Sequence, residues 1–293
     1  MCVQTTHDAK IIKLADFQDL YAVRSLELVG VCAFDALPPL IPCRAKSRLP
    51  AEPKSVLVCA FPYQLPPASY VERNLSRYAV VPDYHLVAEK MLDDIAVALT
   101  VRFPGVYQSF VDNSPIPEVA AAVLAGLGVR GKNGLLLTQR YGSYVFIGTI
   151  VTDRLYRPTP AAVTSCIGCG RCIAACPGGA ITPEGIHRDQ CLSYITQKKG
   201  ELTGEEKELI RQGGLVWGCD RCQEVCPMNC DTDTTPIPAF LEDPVAHVLP
   251  EQVDKLCTER AFGFRGPHVL HRNFEILSDL PEPKPEGRPQ QKD

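Results

Sequence analysis

No stretch of this 293-residue chain reaches 18 residues without a charged side chain, which excludes a membrane-spanning helix. The opening residues, MCVQTTHDAKIIK, lack the long apolar run of a secretory signal, so the expected location is the cytoplasm. An excess of positive charge is missing too. The formal net charge of −4 argues against a protein that coats nucleic acid, because phosphate binding rests on clustered Lys and Arg. No internal repeat of solenoid length is present. Residues 280–293, LPEPKPEGRPQQKD, have no apolar period and read as a disordered tail.

Cysteine, by contrast, is plentiful. Of fourteen cysteines, eight lie between Cys166 and Cys226, about a fifth of the length. Such crowding in a reducing compartment favours metal binding over disulfides. SCIGCGRCIAACPGG places Cys166, Cys169, Cys172 and Cys176 in the C-x2-C-x2-C-x3-C spacing of bacterial ferredoxins, with Pro177 after the fourth. GCDRCQEVCP repeats the pattern one ligand short, holding Cys219, Cys222 and Cys226 before Pro227. In two-cluster ferredoxins the fourth cysteine of each run crosses to the other cluster. On that rule Cys166, Cys169, Cys172 and Cys226 hold one 4Fe-4S cluster, and Cys176, Cys219 and Cys222 hold three corners of a second. Cys191, lying between the runs, is the natural fourth donor, with Cys230 and Cys257 as weaker candidates. Paired Cys-x-x-Cys units also bind structural zinc, but the full ferredoxin spacing with proline favours two clusters. Cys2, Cys32, Cys43 and Cys59 read as small buried hydrophobes.

The rest of the chain reads as alternating helices and strands. A helix is expected over about Ala15 to Leu28, followed by a strand, VGVCAF. SVLVCAFPY, residues 55–63, reads as a buried strand, RNLSRYAVVPDYH as an irregular link, and His85 to Phe103 as a helix with Leu86, Met91, Leu92, Ile95, Leu99 and Phe103 mostly on one face. Ser114 and Pro115 signal a helix start, and Gly126 and Gly128 its end. LLLTQ and SYVFIGTIVTD are expected to pair as strands, while Thr203 and Glu206 form a capping box at the head of a later helix. Four segments follow: an N-terminal domain over 1–160, a ferredoxin-like domain over 161–232, a segment over 233–279 packing back on the core, and the tail over 280–293.

Clusters pass one electron at a time, so a reaction needs a second centre, and the N-terminal domain has to hold it. AGLGVRGKNG contains the letters of both a G-x-G-x-x-G and a G-x4-G-K loop, yet its glycines follow a helix where those motifs require a strand, and Asn133 replaces the magnesium-binding hydroxyl. It reads better as a helix-ending loop whose bare backbone approaches a large ligand. In FVDNSP, Asp112 is a proton-donor candidate if burial raises its pKa, although on composition alone turn and cap roles suit it better. Tyr84 and His85, in PDYH, carry the same choice between ligand and structural roles.

The order of these motifs, from SRYAVVPDYH through FVDNSP, AGLGVRGKNG and YGSYVFIGTIVTD to the two cysteine runs and Cys191, resembles the epoxyqueuosine reductase family over about residues 55–275. These cobalamin- and iron–sulfur-dependent enzymes finish queuosine in the anticodon loop of tRNA. The resemblance implies an α/β (α+β) corrinoid-binding domain, nitroreductase-like and similar to reductive dehalogenases, followed by the two-cluster ferredoxin domain. It implies the same crossed ligand set. It makes Asp112 the catalytic proton donor facing cobalt, and it places Gly131, Lys132, Asn133, Ser143 and Ile147, with Tyr84 and His85, around the cobalamin. It implies tRNA and an external one-electron donor, such as ferredoxin or flavodoxin, as partners.

Longer members of that family carry a C-terminal helical-repeat domain that grips tRNA, and the expectation here is a short form without it. The basic candidates are then Arg44, Lys46 and Arg48 in CRAKSR, and Lys198 and Lys199. Three functions of different class therefore stand at this point: a cobalamin-dependent tRNA epoxide reductase, a corrinoid-dependent reductase of a small substrate, and an electron-transfer protein without cobalamin.

Overall fold

Every residue of SVLVCAFP is buried in the computed structural model, which describes residues 11–20, 23, 26–161 and 165–279. The expected tail over 280–293, Cys2 and part of the helix expected near the N-terminus lie outside these residues. What is described of that helix is a 3-10 turn over Leu14–Asp16, and Leu28 already begins a strand.

Four strands, β1 (Leu28–Ala33), β2 (Ser55–Pro62), β3 (Tyr107–Val111) and β6 (Val145–Thr152), form an antiparallel sheet in the order β1-β2-β6-β3. Two short strands, β4 (Val129–Arg130) and β5 (Leu136–Leu137), pair with each other. LLLTQ and SYVFIGTIVTD thus do not pair together as the sequence suggested: the first belongs to a separate hairpin, and the second is claimed by two longer strands whose registers bury it. Side chains alternate across the sheet. Along β2, Leu57, Cys59 and Phe61 face one core, and Val56, Val58 and Ala60 face another. Coverage of both faces explains why this strand is a continuous apolar run.

The first core is closed by helix α1 (Tyr84–Arg102), through Leu92, Ile95 and Leu99. Leu86 departs from the face expected for it and is exposed. A Cβ at Gly148 of β6 would stand 2.7 Å from Leu92 Cδ1, so glycine there permits the close approach of α1 to the sheet. The second core is closed by α2 (Glu118–Leu124), through Ala121 and Ala122. This helix starts four residues later than Ser114 because Pro115 and Pro117 each disfavour helical backbone in the residue before them. Gly126, at φ +75°, ends it.

Beyond the sheet, α3 (Leu192–Gln197), α4 (Gly204–Gly213) and α5 (Pro267–Ser278) share a small core of Leu192, Ile195, Leu202, Ile210 and Ile276. Thr203 and Glu206 form the reciprocal capping box at the head of α4. From the C-terminal segment, Phe240, Val248, Val253, Phe262 and Val269 enter the same apolar cluster as Leu57 and Leu92. No helix among the described residues is long and apolar enough to cross a membrane.

Candidate functional site

The two cysteine runs fold alike. Each has a one-turn helix, Arg171–Ala174 or Arg221–Glu224, and each then reaches a Cys-Pro pair. Their thiols sort into two groups. Cys226 is influenced by Cys166, Cys169 and Cys172, and these four line one small cavity with Gly131, Lys132 and Asn133. Cys222 is influenced by Cys219, Cys191 and Cys176. The last thiol of each run thus stands with thiols of the other run, as the crossed expectation required. Cys230 is an exposed residue whose thiol points to the Cys226 carbonyl, and Cys257 packs against the main core; neither stands with Cys176 and Cys219.

Burial pushes the Cys222 thiol up to about 12 and that of Cys219 to about 11, with the neighbouring sulfurs acting in the same direction. Crowded thiols resist ionisation, and a cation among them reverses that preference. Among the described residues, no three His, Cys, Asp or Glu side chains converge closely enough for a single metal ion. A zinc ribbon requires donors about 2.3 Å from one centre, whereas thiolates on the corners of a cubane surround a wider body.

On the α1 face lies a cavity of about 540 Å³, walled by Tyr84, His85, Val111 and Asp112 from the sheet domain and by Ser193, Gln197 and Trp217 from the cysteine-bearing part. Phe262 and Phe264 line it too, as do Tyr78, Glu89, Asn113 and Ala261. Asp112 reaches this cavity through a tight turn in which Asn113 N donates to Val111 O (2.6 Å) and Ser114 N donates to Asp112 O (2.7 Å). Its backbone is left-handed, at φ +53°, a conformation uncommon outside glycine that aspartate tolerates better than most residues.

Asp83 caps α1, accepting from the backbone N of His85 (3.0 Å) and facing His85 Nδ1 (2.7 Å) with the same oxygen. The other ring nitrogen, Nε2, faces Asp112 Oδ2 at 2.9 Å, and the Tyr84 hydroxyl donates to that oxygen as well. Tyr84 is held between His85 and Phe146, stacked at 4.1 and 3.8 Å. With a carboxylate at each nitrogen, His85 keeps both protons. The bonds to Asp112 and then Asp83 outweigh partial burial and push its pKa up to about 10. The Asp112 side chain is half exposed, and the upward push of its partial burial is outweighed by the hydrogen bonds from His85 and Tyr84 and by the imidazolium charge, leaving the carboxyl below 3.8.

The condition attached to a proton-donating Asp112, a pKa raised by burial, is therefore not met. At rest Asp112 is a carboxylate, and the standing proton is on His85. The capping role is corrected as well, because α2 begins six residues further on.

The residues expected around cobalamin fall in different places. Tyr84, His85 and Asp112 line the large cavity, whereas Gly131, Lys132 and Asn133 face the first thiol group, Lys132 Nζ donating to Gly168 O (3.4 Å). Ile147 is on β6, on the opposite side from Phe146, packed with the α2 core. Ser143 is buried between the two halves of the chain: its Oγ donates to Gln223 Oε1 (2.9 Å) and accepts from Asn229 Nδ2 (2.8 Å). Its placement is that of a structural lock. Ser143→Ala is expected to lower unfolding free energy by about 1–3 kcal/mol, read by urea titration, and to leave corrinoid affinity unchanged. Unchanged stability with weakened corrinoid binding would refute this assignment.

Of the basic candidates, Arg48 donates to Ser109 O (2.8 Å) and covers the Phe110 ring, and Lys198 is paired with Glu206. Arg44, Lys46 and Lys199 are exposed. Sequence reasoning missed Ser193, Gln197, Trp217, Phe262 and Phe264, none of which carries a motif; the Asp83 cap, two residues before His85, was the one legible signal.

Residues 165–229 match a family model described as a 4Fe-4S double cluster binding domain, and residues 44–113 match one described as Epoxyqueuosine reductase QueG, DUF1730. An epoxyqueuosine reductase of Listeria monocytogenes is 32% identical over 77% of this chain and 64% of its own length. One from Pseudomonas aeruginosa is 37% identical over 62% of this chain and 48% of its own. The chain thus spans less than two thirds of these relatives. Among solved structures, an epoxyqueuosine reductase with an epoxyqueuosine-modified tRNA stem loop matches with TM-score 0.74 and 26% identity, over 88% of this chain and 78% of that one. A Bacillus subtilis epoxyqueuosine reductase, with its catalytic aspartate loop swung out of the active site, matches with TM-score 0.73 and 25% identity over the same shares.

Proposed function

We propose that this chain, which is similar to epoxyqueuosine reductases, reduces the epoxide of epoxyqueuosine in tRNA to the cyclopentene of queuosine. The observation that carries the reading is the Tyr84–Asp112–His85 cluster, which opens into a cavity whose far wall leads to the second thiol group. Ser193 is two residues from Cys191, and Trp217 two from Cys219. Removal of the oxygen as water consumes two electrons and two protons, so a proton source and an electron path have to meet at one place.

The cavity fits a corrinoid in kind. Val111, Trp217, Ala261, Phe262 and Phe264 give it apolar walls, and Tyr78, Glu89 and Asn113 add polar groups to those of Tyr84, His85, Asp112, Ser193 and Gln197. Cobalamin bound there supplies a strongly reducing, nucleophilic metal centre. On this reading the finer fold is the corrinoid-binding, nitroreductase-like one. Segments 1–160, 161–232 and 233–279 divide the labour into cavity, clusters and a cover that contributes Phe262 and Phe264.

His85 stores the proton at Nε2, against Asp112 Oδ2, and its partly accessible ring renews it from solvent. Asp112 conducts that proton into the cavity. Tyr84, donating to the same oxygen, fixes the carboxylate's orientation, and the aromatic walls exclude water. The first thiol group lies nearer the surface, beside exposed Cys169 and Ile167, and is the entry side for an external one-electron donor such as ferredoxin or flavodoxin. Of the basic candidates, Arg44, Lys46 and Lys199 are exposed and available to tRNA phosphates.

The test is anaerobic turnover of tRNA carrying epoxyqueuosine, with cobalamin and an electron donor, read as the loss of one oxygen from the modified nucleoside. Binding of that tRNA is expected to weaken steadily as salt rises. Protein that holds both clusters and cobalamin yet neither binds nor reduces the tRNA would eliminate this reading in favour of a small substrate.

A further inference from the structure

Tyr78 borders the same cavity as Asp112 and has no part in the scheme above. Its place is fixed by the backbone. Residues 74–76 run beside 216–217, with Val216 N donating to Asn74 O (2.8 Å) and Ser76 N to Trp217 O (2.9 Å), and the short helical turn Arg77–Val80 follows at once. A Cβ at Gly218 would stand 2.0 Å from Ser76 Oγ, so glycine permits this close approach. The Tyr78 ring meets Phe146 edge to face, with 6.5 Å between centroids, and Tyr84 stacks on that same phenyl ring.

Two donors hold the Tyr78 hydroxyl oxygen. Trp217 Nε1 donates to it at 2.7 Å and Gln197 Nε2 at 3.3 Å, and Gln197 Nε2 also donates to Ser193 Oγ (3.4 Å). An indole N–H can only donate, so in the shorter of these bonds Tyr78 is necessarily the acceptor. Its own proton finds no acceptor among the described residues. The Ser76 hydroxyl, which also bears on Tyr78, is buried without a hydrogen-bond partner and does not take it. Tyr78, Gln197 and Trp217 all border the cavity, and that is the direction left to the O–H bond.

We propose that Tyr78 is a hydrogen-bond donor to the molecule in the cavity, its O–H aimed by Trp217 and Gln197 at a neutral oxygen acceptor, either an amide carbonyl of the corrinoid or an oxygen of the substrate. This deepens the reading of the cavity given above and rests on it. Tyr78 comes from the sheet domain and its two partners from the cysteine-bearing part, so the aim of the O–H depends on how the two parts dock. Burial raises the Tyr78 pKa above the ordinary 10.0, so the hydroxyl keeps its proton at neutral pH.

The deciding experiment compares the unaltered protein with Y78F, Q197E and the double variant, each holding both clusters, with iron content and circular dichroism as checks on folding. Anaerobic titration with cobalamin, followed by visible absorption, reads the corrinoid arm, and kcat and KM for tRNA carrying epoxyqueuosine read the substrate arm. Loss of one neutral hydrogen bond is expected to cost Y78F about threefold to tenfold. That loss falls on cobalamin affinity if the acceptor is the corrinoid's, and on kcat/KM with cobalamin affinity unchanged if it is the substrate's. Q197E keeps the Tyr78 ring and hydroxyl but sets an acceptor where a donor stood, which turns the proton away from the cavity. The same arm is expected to fall by a similar factor, and the double variant to lose no more than Y78F alone, because both changes remove one bond. Equal behaviour of Y78F and the unaltered protein in both arms would overturn the donor. An unaffected Q197E would do the same, since Gln197 would then already be accepting the proton, and so would additive losses in the double variant. Where Y78F fails to fold, Q197E decides alone. An unaltered protein that binds cobalamin but does not reduce the tRNA strikes the proposed reaction and leaves the corrinoid arm to decide on Tyr78, whereas one that binds no cobalamin strikes both.

Discussion

Replacing Cys191 with alanine is expected to halve the iron of the anaerobic protein, from about eight to about four per chain, and to abolish turnover. Cys191 belongs to no motif, yet its thiol joins Cys176, Cys219 and Cys222, and a cubane left with three thiolates is labile. The other four thiols, Cys166, Cys169, Cys172 and Cys226, lose nothing, so the first cluster and its visible absorption remain. Cys176→Ala is expected to give the same result, although Cys176 ends the first run. Cys226→Ala is expected to remove the first cluster instead. Full iron retention in Cys191→Ala would mean that another cysteine completes the second site and that the observed grouping is not the ligand set.

Asp112→Asn is expected to lower turnover about 10²- to 10⁴-fold, the usual effect of removing a positioned proton-transfer group, with iron and corrinoid content unchanged. The amide keeps the shape but neither balances nor conducts the His85 proton. His85 should therefore titrate lower than about 10, with Asp83 still holding it above the ordinary 6.5, and imidazole NMR reads this directly. The stability linked to the pair has a definite pH window. The raised His85 pKa makes its share full below 6.5 and lost as pH rises through about 10. The lowered Asp112 pKa makes its share present above 3.8 and lost as pH falls below that value. Asp112→Asn is expected to flatten both limbs. Unchanged turnover would return Asp112 to a turn residue.

Short-range features were legible in the sequence because their causes are local. The capping box of Thr203 and Glu206 needs only a three-residue spacing. The β2 run declares its burial in composition, and the helix over Tyr84–Arg102 does so in period, even though Leu86 turned out exposed. The strand Tyr107–Val111 went unread although Pro104-Gly105 marks a turn just before it, because five residues carry little periodic signal. The start of α2 was misplaced because a serine before proline resembles a cap until the second proline is weighed.

By itself, the sequence determined the cluster chemistry: cysteine spacing is a property of the chain, and a deficit of one ligand in the second run required a donor from outside it. Tertiary structure alone decided which carboxyl is charged. Asp112 lies 27 residues from His85 and 28 from Tyr84, and Ser143 reaches its partners 80 and 86 residues away. A pKa depends on what surrounds a group within a few ångströms, and that neighbourhood comes into being only when distant segments fold together.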